Sequence, residues 1–127
     1  MILIQQRSRG KKDRPLFYDA SVGAQVSSGE TYEKAAHREL FEELGIRGLK
    51  FEKICKYKSF SKRQREIRTL FVAFSDGPFK SDEKEIEKIE FKTIEEITTE
   101  LKKEKLQYTD GFKISFSKYL EFIDEKN

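Results

Sequence analysis

The stretch Gly23-Ala24-Gln25-Val26-Ser27-Ser28-Gly29-Glu30, followed by Arg38-Glu39-Leu40-Phe41-Glu42-Glu43-Leu44-Gly45-Ile46, decides the reading of this chain. On a helix, at about 100° per residue, Glu42 and Glu43 lie about 60° and about 40° either side of Glu39. Like charges at this spacing cost an isolated helix a few tenths of a kcal/mol each. Three crowded acids make structural sense when a cation sits among them. Hard divalent ions take oxygen ligands of this kind, keep several waters and bind substrate phosphates as well.

The residues around the acids serve the same end. Gly23 and Gly29 let the main chain adopt conformations closed to other residues and approach a ligand. Thr31 is a candidate N-cap, and Gly45 a C-terminal stop just after Leu44. The pattern predicts a helix over residues 31–44, with Ala36, Leu40, Phe41 and Leu44 as its buried stripe. His37, the one histidine, lies beside that stripe without a partner at ligand spacing. It reads as a structural or surface residue.

The stretch resembles the Nudix box, in which a glycine, five residues, Glu and seven residues lead into Arg-Glu-U-x-Glu-Glu-x-Gly-U, with U aliphatic. Glu30, Arg38, Glu39, Leu40, Glu42, Glu43, Gly45 and Ile46 fall in register over residues 24–46. The one departure is Ala24, where the box has its first glycine, with Gly23 beside it. A backbone carbonyl can serve as a ligand whatever side chain it carries. Ala at position 24 costs about 1 kcal/mol or more only if the site demands positive φ.

What the resemblance implies is a pyrophosphohydrolase. Nudix enzymes cleave a nucleoside diphosphate linked to another group, using Mg²⁺ or Mn²⁺ to activate water and to neutralise the developing phosphoryl charge. Glu42 and Glu43 are then metal ligands, Glu39 a ligand or base, and the carbonyl of Gly23 completes the site. Arg38 orients a carboxylate, since a guanidinium holds such groups bidentately. Glu30 has a more structural place at the loop–helix junction. The acid-rich segment from Asp82 to Phe91 is similar to the family stretch that supplies a further acid. Glu85 is the first candidate there and Glu83 the second.

Ile2-Leu3-Ile4-Gln5-Gln6-Arg7, with Lys11, Pro15 and Gly23, looks like the branch related to isopentenyl-diphosphate isomerase. Val22 and Ala24 stand where that enzyme has a cysteine and a histidine, and this chain keeps the acids the isomerase loses. Hydrolysis is therefore favoured over isomerisation. A third alternative is a Nudix domain that binds a nucleotide without turnover. The marks of the ADP-ribose and dinucleoside-polyphosphate subfamilies are missing at Ser61-Lys62-Arg63, so the substrate stays open.

Bulk properties bound the rest. The chain has 127 residues, 39% of them charged, with 11 Phe and 5 Tyr to fill a core. That suits one domain over residues 1–127. A net charge of +3 is too small to argue for nucleic-acid binding. The basic runs Arg7 to Lys12 and Lys62 to Arg65 read as solvated loops or as phosphate contacts at a pocket rim. Arg7, Lys11 and Arg65 are the candidate substrate-binding residues. Cys55 is the one cysteine, which excludes an intrachain disulfide and fits a reducing cytoplasm. No apolar run is long enough for a signal peptide or a membrane span.

The expected element order is β–β–α–β–β–β–α–α, matching the α/β/α sandwich with a mixed sheet of the Nudix fold. Strands are expected at residues 1–6, 49–59, 67–74 and 88–92, the third of these central in the sheet. Helices are expected over 93–103 and from Thr109 onward, the last with Phe112, Phe116, Leu120 and Ile123 as its apolar stripe. No strand precedes Ile2-Leu3-Ile4. If that strand is an open edge, a symmetric partner could cover it, and a homodimer with residues 1–7 at its interface is expected.

Overall fold

The computed structural model describes residues 1–21, 28–60, 65–104 and 106–126. Its elements in chain order are β1 (Ile2–Arg7), β2 (Tyr18–Ala20), α1 (Tyr32–Leu44), β3 (Glu52–Phe60), β4 (Arg65–Val72), β5 (Ile86–Lys92), α2 (Ile94–Lys103) and α3 (Asp110–Lys126). The expected order holds throughout.

Strand β1 lies in the middle of a sheet ordered β2–β1–β5, antiparallel to both neighbours. Alternation along β1 sends successive side chains to opposite faces. Ile2 and Ile4 join Tyr18, Ile97, Tyr108, Phe112 and Phe116 in one core, beneath α2 and α3. Leu3 joins Leu40, Leu44, Ile46, Ile86 and Ile89 in a second core, beneath α1. Helices thus cover both faces of the sheet, which is the α/β/α arrangement. The described strand pairings are antiparallel, and the parallel component is an isolated bridge between Tyr18 and Tyr108.

Two expectations need correction. Strand β1 is not a free edge over residues 4–6, where β5 pairs on one side and β2 on the other; the described β2 pairing does not reach Ile2 or Leu3. Pairing within the chain narrows the ground on which a homodimer through residues 1–7 was expected. Strand β4 is not central: among the described residues it pairs with β3 alone, in a two-stranded ribbon, and Ile67 is 56% exposed. The ribbon meets α1 through a stack of His37 on Phe51 (4.2 Å between ring centres) and α3 through Tyr57 Oη and Ser115 Oγ at 3.0 Å. His37 is accordingly a packing residue.

The helix ends are set by their caps. Thr31 Oγ1 accepts from the Lys34 N–H at 3.1 Å, and Gly45 closes α1 at φ 69° with its N–H on the Phe41 carbonyl. Thr93 caps α2 in the same manner, and Thr109 Oγ1 accepts from the Phe112 N–H at the start of α3. The buried stripe of α1 is rotated from expectation. Ala35 and Leu44 are buried, Ala36 and Leu40 are half-buried, and Phe41 is 42% exposed under the Arg47 guanidinium, 3.8 Å from its ring centre.

Candidate functional site

The acids of α1 sit where the helix, β1 and the segment before β5 meet. Arg38 organises them. Its Nε and Nη2 grip Glu30 bidentately at 2.8 and 3.1 Å, and its Nη1 donates to Glu39 at 2.8 Å and to Glu42 at 3.4 Å. These bonds, to Glu30 first and Glu39 second, hold the guanidinium firmly protonated. Arg38 therefore fixes the side chain of Glu39 and ties the loop–helix junction to the first acid of the cluster.

Among the described residues Glu43 has no guanidinium on it; Gln5 hydrogen-bonds its carboxyl, but one of its oxygens is left over. Its Oε2 is buried and accepts no hydrogen bond among the described residues. Burial, and then the charge of Glu39, push its carboxyl up to about 7; Glu85 adds to the rise, while Gln5 and Lys11 oppose it. A buried, unpaired carboxylate oxygen costs free energy in the absence of a ligand.

The segment carrying Glu85 is clamped to the end of α1. The Lys80 and Asp82 N–H groups donate to the carbonyls of Leu44 and Glu43, each at 2.9 Å. A Cβ at position 45 would meet the Lys80 Cβ at 3.2 Å, so Gly45 is required by this close approach as well as by its φ. Asp82 then accepts from the N–H groups of Glu85 and Ile86 and turns the chain into β5. Glu85 ends beside Lys11, with which it makes a direct ion pair, and within electrostatic reach of Glu43. Glu83 is exposed on the same turn. Of the two candidates for a further acid, Glu85 is the one brought to the cluster.

The remaining sequence candidates divide. Arg7 directs Nε and Nη2 at the carbonyls of Asp13 and Arg14, so it braces the loop between β1 and β2 rather than offering a free guanidinium. Lys11 belongs to the acid cluster through Glu85. Gly23, Ala24 and the side chain of Arg65 lie outside the described residues, as do Ser61, Lys62 and Arg63. Glu42 is the most solvent-exposed of the three box acids for which exposure is resolved in an ion pair with Arg38, at 54%. Gln5, buried on the α1 side of β1 and donating to the Ser21 carbonyl at 2.7 Å, was missed. Alternation with Leu3 was the signal that placed it there.

A cation fits this donor set. It is composed of carboxylate oxygens, the preference of Mg²⁺ and Mn²⁺, and it contains one buried oxygen with no partner. Among the described residues, no three His, Cys, Asp or Glu side chains already converge into a closed cage.

A family model described as NUDIX domain matches residues 1–112. The chain belongs to the Nudix family. It is 38% identical over 97 residues to an uncharacterised Nudix hydrolase of Yersinia pestis, covering 76% of this chain and 53% of that protein. It is 37% identical over 97 residues to the uncharacterised Nudix hydrolase YfcD of Escherichia coli K12, covering 76% and 54%. The chain thus spans about half the length of these curated relatives. Among solved structures, DR0079 of Deinococcus radiodurans superposes with a TM-score of 0.78 at 27% identity, over 92% of this chain and 74% of that one. The Nudix domain of Shewanella oneidensis NrtR, in complex with ADP ribose, superposes at 0.73 with 13% identity, over 95% and 76%, and so speaks for the fold.

Proposed function

We propose that this chain is a Mg²⁺- or Mn²⁺-dependent pyrophosphohydrolase that cleaves a nucleoside diphosphate linked to another group. The observation that carries the reading is Glu43, half-buried, whose buried Oε2 has no hydrogen-bond partner among the described residues, set beside Glu39 and Glu85. The ADP ribose held by the NrtR domain supports a nucleotide derivative as ligand. The lone Cys55 suits a cytoplasmic setting.

A divalent cation supplies Lewis acidity at phosphorus and lowers the pKa of the attacking water. Glu39, Glu42 and Glu43 would hold it, with the Gly23 carbonyl. Arg38 keeps Glu39 oriented, whether Glu39 acts as ligand or takes the proton from water. Glu85 enlarges the negative field that draws the cation in, and Lys11 and Arg65 offer positive charge to the substrate phosphates. Arg7 contributes by holding the loop that bears Lys11.

The test is product release across a panel of nucleoside diphosphate derivatives, with Mg²⁺, with Mn²⁺ and with excess EDTA. Turnover that stops with chelator is expected; full activity in EDTA overturns the metal assignment. Ala24, standing where the box has its first glycine, favours a second reading, a domain that binds a nucleotide without turnover. Saturable binding of panel members with no products under any metal would establish it instead.

A further inference from the structure

We propose that Lys11 is the resident counter-cation of the acid cluster and that its charge, held there by Glu85, opposes the loading of a divalent ion. This rests on the metal site of the proposed function. Lys11 is not a loose surface lysine. Its Nζ donates directly to Glu85 Oε2, with its side chain only 27% exposed. The backbone behind it is pinned to the same acid. The Ser8 N–H donates to the Glu85 carbonyl at 3.0 Å, and the Lys11 N–H donates back to the Ser8 carbonyl at 3.1 Å. The Arg9 guanidinium grips both oxygens of Glu87 in the next stretch of β5, with contacts from 2.8 to 3.2 Å. The segment 8–11 thus delivers one ammonium to one carboxylate.

The charges around it explain why that matters. Glu39 and Glu85 both act on Glu43, while Arg38 is engaged with Glu30 and Glu39. Lys11 brings positive charge to the Glu85 side. A carboxylate can hold an ammonium on one oxygen and a divalent ion on the other, but the two cations repel at this range. The charge of Lys11 therefore opposes loading, and its ammonium stands where phosphate oxygens would take it. Metal and anionic substrate then assist each other's binding, and such coupling is reciprocal.

The experiment measures equilibrium Mn²⁺ binding, without substrate, to the metal-free chain and to the variants Lys11→Met, Glu85→Gln and their double. Lys11→Met should tighten Mn²⁺ binding roughly threefold to tenfold, as expected for removing one nearby positive charge. On the Glu85→Gln background the same change should have a smaller effect, because Lys11 is no longer held at the cluster. Unchanged or weaker binding by Lys11→Met overturns the proposal. Lys11→Gln, checked for an intact melting transition, keeps the result readable if the Met variant folds poorly. Glu43→Gln separates the two failures. If wild type takes up no Mn²⁺, or Glu43→Gln keeps full affinity, the site itself is wrong and the proposal falls with it. If Glu43→Gln loses Mn²⁺ while Lys11→Met is unchanged, the site stands and the opposing role of Lys11 alone is rejected.

Discussion

On the sheet face that carries α2 and α3, a buried lysine is fully engaged. Lys92 Nζ donates to both oxygens of Glu100 at 3.0 and 2.8 Å, pairs with Glu90 at 3.0 Å, and lies 4.7 Å from the ring centre of Tyr18. The Tyr108 hydroxyl donates to Glu100 at 2.7 Å, and its ring continues into a stack with Phe112 and Phe116. On the opposite face, under α1, Glu43 Oε2 has no partner among the described residues and its acidic neighbours oppose its ionisation. Burial of charge is the same problem on both sides. One side solves it with the chain's own partners. The other leaves it to be solved by something bound, and perturbed groups left in this condition mark functional sites.

The contrast can be broken most strongly at Glu43. Glu43→Gln should lower the hydrolytic rate by roughly 10²- to 10⁴-fold, because it removes charge where the transition state needs it. Steady-state kinetics at saturating Mg²⁺ would show this, and a near wild-type kcat would remove Glu43 from the mechanism. The next largest effect belongs to the other face. Ile97 is fully buried among the α2/α3 aromatics, so Ile97→Ala should cost about 3 kcal/mol of stability in urea melts. Mn²⁺ affinity of the folded fraction should stay near wild type, because Ile97 lies across the sheet from the acids. A large loss of affinity alongside retained structure would show that the two faces are not separable.

How far the sequence carried each face follows from the range of the interactions. Local signals were legible: Thr31 and Gly45 bracket α1, and Thr93 and Thr109 open α2 and α3. The register of the box acids on one helix was legible through the family motif, and so was the acidic segment that the fold brings to them. Non-local pairings were not. Strand β1 reads as an edge because no strand precedes it, and the partner that follows, Tyr18-Asp19-Ala20, is too short for periodicity to register. The apolar run of β4 reads as a central strand, although a two-stranded ribbon holds it. Phe41 reads as core from its spacing, because nothing local announces that Arg47 covers its ring. The task of Lys11 depends on an acid 74 residues away.

The engaged network can also be tested directly. Lys92→Met removes the cation shared by Glu90, Glu100 and Tyr108, and leaves Glu90 with Lys88 at 3.5 Å. Acids stripped of a buried partner cost more than the pair contributed. Because Glu90 and Glu100 keep some solvent, a loss of about 2 kcal/mol is expected in urea melts at pH 7. Adding Glu100→Gln should recover part of it, since the most deeply placed stranded charge is then gone. If the double variant is less stable than the single by the full cost of a second independent change, the network does not act as a unit.

The smallest effect is the most discriminating, because the two faces respond to pH with opposite sign. Glu43 has its folded carboxyl raised from 4.5 to about 7. Between those values the folded chain binds more protons than the unfolded one, so stability falls as pH rises through that window. Allowing for partial solvent screening, the loss is about 1 to 2 kcal/mol. Glu90 is lowered below 4.5, chiefly by its hydrogen bond from Lys92. Its contribution is present above the ordinary carboxylate value and is lost as pH falls through its folded value. Urea melts of the metal-free chain in EDTA should therefore show greater stability near pH 5 than near pH 8. Glu43→Gln should flatten that upper limb and make the apo protein more stable than wild type at pH 8, while leaving the acid limb in place. Saturating Mg²⁺ should flatten the same limb in wild type, since a bound cation satisfies the ionised carboxylate. An identical pH slope in Glu43→Gln and wild type would mean that the conflict on the α1 face is not centred on Glu43, and the comparison between the faces would lose its chemical basis.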